Sequence, residues 1–123
     1  MSNLTDLVPP LELCKLIPQG EFEDSCFARP DIPGEPVHTR NGKVYEHLKR
    51  CGITYYPAPT FDEILDELHK CQEDVFVKWS ETAYHGWLVN AYSHGRNEDY
   101  QAHDESKVTA ALKVWLKLKG IEA

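Results

Sequence analysis

Two short runs, DVFVKW at 74–79 and HGWLVNAY at 85–92, are joined only by SETAY, and this closeness constrains the fold more than any other feature of the chain. Both are rich in β-branched and aromatic residues, and the first alternates along its length, as strands do. A parallel crossover needs a dozen or more connecting residues, so two strands this close must pair antiparallel.

Helices flank this pair on both sides. Upstream, the run GITYYPAP is ended by prolines, which places a strand at a sheet edge or end. Thr60 and Glu63 then form a capping-box pattern, in which each side chain satisfies a backbone N–H of the other. Phe61, Ile64, Leu65 and Leu68 fall on one helical stripe, leaving Asp62, Glu63, Asp66 and Glu67 toward solvent. Downstream, SHGRNEDYQAH is polar and reads as a loop before a last helix over 104–119. There Val108, Ala111, Leu112 and Trp115 make the apolar stripe, and Gly120 ends the helix. Acids at its start and lysines 113, 117 and 119 toward its end suit the helix dipole.

The N-terminal part is less regular. VPPLELCKLIP reads as a short helix stopped by Pro18, and PQGEFEDSCFARP as a loop entering a short strand. Residues 28–43 hold three prolines and two glycines, the composition of an irregular loop, with a turn at Asn41-Gly42. KVYEHLKRCG is either a short helix closed by Gly52 or the second arm of a hairpin. The expected fold is α+β: one domain over 1–123, with a small, mostly antiparallel sheet covered on one face by two helices and a short N-terminal helix.

The 20 acidic and 13 basic residues leave a net charge of −7. That balance argues against binding to phosphate backbones, which rests on lysine and arginine displacing counterions. No run of 18 apolar residues occurs, so no membrane-spanning helix is expected. The start, MSNLTDLVPPLELC, has no basic segment followed by an apolar one, and Cys14, Cys26, Cys51 and Cys71 form no CxxC pair. A cytoplasmic chain with reduced thiols is the expectation.

The blocks PPLELCKLIPQGEFEDSCF (9–27), YYPAPTFDEILDEL (55–68) and AALKVWLKLKG (110–120) resemble those of short proteins encoded in prophage-like regions of gut Bacteroidetes. They cover a little over a third of the chain. The resemblance implies a phage or mobile-element context and an accessory, protein-binding role. It implies no activity, cofactor or catalytic residue.

Histidines at 85, 94 and 103 recur every nine residues. Zinc sites usually take two ligands from one element at close spacing, as in HxxxH. Here His85 opens the strand and His94 follows it, so the two lie at opposite ends. Only His94 and His103, bracketing the polar loop, are placed to meet, with Glu98, Asp99 or Asp104 able to complete a metal set. The plainer account makes them solvent-exposed loop histidines. His69 and Cys71 fall on different helix faces. No catalytic residue is assigned: there is no GxSxG elbow and no glycine-rich phosphate loop, and Cys14 and Cys71 sit beside apolar helix positions as inert thiols. The carboxylates at 62–67 lie on a solvated face, where a general acid would keep its ordinary pKa.

The aromatics Tyr55, Tyr56, Tyr84, Trp87, Tyr92 and Tyr100 gather in or beside strands. If one sheet face is open, Tyr55, Tyr56, Trp87 and Tyr92 are the candidates for a patch that binds a protein partner or a second copy; otherwise they are core and rim residues. Three functions follow. The first is a noncatalytic accessory protein that binds a protein or itself, without cofactor. The second is a small metal-dependent hydrolase or nuclease using His94 and His103. The third is an acidic inhibitor imitating nucleic acid through the carboxylates at 62–67.

Overall fold

The computed structural model describes residues 8–18, 20–22, 25, 27–30, 37–38, 50–52, 54–72, 74–80, 86–93, 95 and 97–121. In chain order the elements are α1 (Leu11–Cys14), β1 (Phe27–Pro30), β2 (Val37–His38), β3 (Tyr55–Pro57), α2 (Phe61–Cys71), β4 (Asp74–Ser80), β5 (Gly86–Ser93), β6 (Glu98–Asp104) and α3 (Lys107–Leu118). The protein is α+β, with antiparallel strands throughout the described residues. Where the sequence leads to one domain over 1–123, the contacts gather in two units, Met1–Thr60 and Phe61–Ala123.

In the first unit, Pro10 stands in extended backbone before α1, and its carbonyl accepts the N–H groups of Leu13 and Cys14 at 3.0 and 3.1 Å. Pro18, which lacks an N–H, follows the last turn. Val8, Cys14 and Ile17 are buried. β1 lies between β2 and β3, with Ala28 opposite both Val37 and Pro57. Among the described residues β3 is an edge strand, the position in a sheet that tolerates a proline such as Pro57. The Ser25 hydroxyl donates to the Ala58 carbonyl at 3.0 Å and ties the two ends together. The irregular loop proposed for 28–43 thus contributes β2 and most of β1. The Asn41-Gly42 turn and most of the 43–52 segment lie outside the described residues.

The second unit carries the larger sheet, in the order β4-β5-β6. β4 and β5 pair antiparallel, as their short connection demands, with Val77 opposite Val89 and Trp79 opposite Trp87. α3 packs on β5 and β6, while α2 packs on α3 and β4. Ile64 and Leu68 of α2 are fully buried, whereas Asp62 and Asp66 face solvent. Near its end Lys70 donates to Glu67 at 3.1 Å, and this hydrogen bond holds the ammonium pKa above its ordinary value.

α3 is more buried than one stripe requires. Beyond Val108, Ala111, Leu112 and Trp115, it also buries Thr109, Ala110, Val114 and Leu116. A helix apolar on nearly every side belongs to a core. It ends as the sequence indicates: Gly120 takes φ of 79°, and the N–H groups of Gly120 and Ile121 reach back to Lys117 and Leu116.

One expectation is overturned. Most of the polar segment SHGRNEDYQAH is no loop, because residues 98–104 form β6, paired along β5 from Ser93↔Glu98 to Trp87↔Asp104. Its polar residues alternate outward, and only Ala102 is buried, so the apolar half of the strand signal is nearly missing. The last helix accordingly starts at Lys107 rather than near 104. Asp104 ends the strand and turns the corner, one carboxylate oxygen accepting the Ser106 N–H at 3.0 Å and the other Lys113 at 3.2 Å. Ser106 then caps the helix by accepting the Thr109 N–H.

Candidate protein-interaction surface

Residues directly opposite in an antiparallel pair share a face, and successive residues alternate. The register therefore sorts the β4-β5-β6 sheet into two sides. Val89, Ala91 and Ala102 are buried on the side that α3 covers. The other side carries three cross-strand rows: Asp74, Tyr92 and Asp99; Phe76, Asn90 and Gln101; Lys78, Leu88 and His103. Phe76, in the middle row, is 62% exposed. The Asn90 amide donates to the Asp99 carboxylate and tethers the polar part of that side.

β4 is the edge of this sheet among the described residues, and it is exposed on both of its sides. Besides Phe76, Val77 is 37% and Trp79 44% exposed. An edge strand with three large apolar side chains in solvent is an open template for pairing. The opposite edge, β6, exposes Asp99, Gln101 and His103 instead.

Trp79 does not stand alone. On the helix-covered side its ring meets Trp87 edge to face, with centroids 5.3 Å apart. The Lys107 ammonium lies 5.6 Å from the centre of the Trp87 ring and 4.8 Å from that of Phe61. These are cation–π distances, and they bind the first turns of α2 and α3 to the start of β5.

Two of the four aromatics proposed for one patch, Trp87 and Tyr92, do not share a face. Trp87 and Tyr92 are five residues apart on one strand, an odd separation that sends them to opposite faces. Tyr55 and Tyr56 belong to β3 in the other unit, are half-buried, and alternate across their own sheet. On this sheet the large exposed apolar residues among the described ones are Phe76, Val77 and Trp79, all on β4. DVFVKW carried the signal: Val75, Val77 and Trp79 fill one face of the strand, and Phe76 stands between Asp74 and Lys78 on the other, so neither face is wholly polar.

His103 is exposed on β6, opposite Leu88. It stands five residues along that strand from Glu98, about 17 Å away at 3.4 Å per residue. His94 and His85 lie outside the described residues. Among the described residues no three histidine, cysteine, aspartate or glutamate side chains gather in a way that would hold a metal. Cys14 is buried, Cys51 exposed and Cys71 half-buried. No helix among the described residues is long and apolar enough to cross a membrane.

No family model matches the chain, and no curated protein or solved structure is significantly similar to it.

Proposed function

We propose that the chain is a noncatalytic accessory protein of the phage or mobile-element type that binds a protein partner or a second copy through β4 and the open side of its sheet. One observation carries this reading: Phe76, Val77 and Trp79 are all exposed on one edge strand. Apolar residues exposed singly are ordinary on protein surfaces, whereas several close together on both faces of a strand that is an edge among the described residues mark an interaction site or an aggregation liability. The resemblance of the blocks at 9–27, 55–68 and 110–120 to prophage-region proteins supplies the accessory context. The reading places the protein in the cytoplasm with reduced thiols, and its partner is neither nucleic acid nor membrane, in keeping with the net charge of −7.

The test is a photo-crosslinking amino acid at Phe76, with one at the exposed Asp66 of α2 as control, in cells making the protein at native level. A discrete adduct from position 76 alone, lost when Val77→Lys is added, is the expected result. An adduct with this chain and one with another protein both support the reading. Equal labelling from both positions, or none from 76, removes the reading.

A further inference from the structure

We infer that the partner at β4 is a second copy of this chain, its β4 paired antiparallel in the register that sets Phe76 opposite the partner's Phe76. This rests on the interaction surface proposed above and names its occupant.

The argument begins with the five residues Asp74-Val75-Phe76-Val77-Lys78. A two-fold axis through the middle of this stretch, perpendicular to the sheet, keeps each residue on its own side when two copies meet. Val75 then faces the partner's Val77, and Asp74 faces the partner's Lys78. The stretch is self-complementary: apolar meets apolar at the centre, and opposite charges meet at both ends. Cross-strand aromatic, β-branched and opposite-charge pairs are the stabilising units of a sheet, whereas like charges directly opposite destabilise it.

Neighbouring registers that preserve the faces do worse. Centring the axis on Val77 sets Phe76 against the partner's Lys78 and Asp74 against its Ser80. Centring it on Val75 sets Asp74 against the partner's Phe76. Each loses both charge pairs and places a charge beside the exposed ring. The Phe76-centred register alone satisfies both sides of the sheet.

Charge also selects the edge. The chain is acidic overall, so two copies repel, but Asp74 and Lys78 leave β4 locally neutral. β6, the other edge, carries Glu98, Asp99 and Asp104 and repels its own kind. Pairing through β4 joins two sheets of three strands into one of six, and it uses the same edge in both copies. An interface of this isologous kind closes at two and does not propagate.

The experiment is sedimentation equilibrium of the purified chain from low micromolar to several hundred micromolar, with far-ultraviolet circular dichroism confirming that every variant is folded. The wild type should move from one to two chains and no further. Asp74→Lys and Lys78→Asp each set like charges opposite at both ends and should weaken the dimer by about tenfold or more. The combined swap D74K/K78D restores both charge pairs and should return the dimer to within about threefold of wild type. Phe76→Lys should leave a monomer.

A chain that stays monomeric at every concentration overturns the inference. So does a dimer indifferent to Phe76→Lys, or one that the double swap fails to rescue. The broader reading fails separately: if the chain is monomeric while the Phe76 photo-adduct contains another polypeptide, the surface binds a protein but not itself. If there is no adduct from position 76 at all, both fail.

Discussion

Trp79 and Trp87 meet edge to face on the helix-covered side of the sheet, their ring planes at 65°. The contact joins the exposed edge strand to the central one, so it measures how firmly β4 is held. A double-mutant cycle with Trp79→Ala and Trp87→Ala should give a coupling of about 0.5–1.5 kcal/mol beyond the area each ring buries. Urea unfolding of the wild type and three variants checks this. A coupling near zero would mean that β4 is held by its hydrogen-bonded ladder and not by the tryptophans.

Gly86 is set by space. A Cβ built there would lie 2.6 Å from the Asp104 carbonyl oxygen and 3.0 Å from its carbon, both main-chain atoms with no rotamer to escape into. Gly86→Ala should therefore cost about 1–3 kcal/mol, through displacement of β5 from the end of β6. The fall in the urea midpoint at constant slope is the measurement, and an unchanged midpoint would show that the strand ends part freely.

The start of α3 depends on a side-chain cap. Ser106 accepts the Thr109 N–H, so Ser106→Ala should lose about 1 kcal/mol while Ser106→Gly loses only a few tenths. Thermal unfolding of both variants separates the cap from a general loss of packing, because packing would not rank glycine above alanine.

Metal should make no difference. His103 stands exposed on β6, and among the described residues no ligand set surrounds it. Untagged protein should carry less than one equivalent of zinc, manganese or nickel by elemental analysis, and its melting temperature should be the same before and after chelator. One equivalent lost together with stability would move attention to His94 and its neighbours.

The β4-β5 hairpin and both long helices were legible because each has a dense local signal. Val75, Val77 and Trp79 mark a strand, Ile64 and Leu68 a stripe, and Gly120 a stop. β6 was not legible for a physical reason: an edge strand that turns its polar residues to water keeps little apolar patterning, and here only Ala102 is buried. What holds it is its pairing with β5 and the packing of α3 on it, neither of which shows in the residues of β6 alone. The interaction surface was half legible. Aromatic content pointed to the sheet, but parity along β5 separates Trp87 from Tyr92, and the exposed rings proved to be Phe76 and Trp79 of β4. The breadth of burial on α3 was hidden too, since Thr109 and Ala110 carry no apolar periodicity of their own.

The order of synthesis gives the β4 edge another consequence. β4 emerges from the ribosome before β5, β6 and α3 do, so Val75 to Trp79 come out with α2 beside them but without their partner strand or α3. Translation adds about 5–20 residues per second, so the interval lasts seconds. Neighbouring ribosomes on one message would hold this strand at high local concentration, and a stretch that complements itself would find its match there early. Subunits born from one message would then pair with each other. Lys78, the only charge within that apolar run, guards it against open-ended stacking while the rest of the sheet is being made.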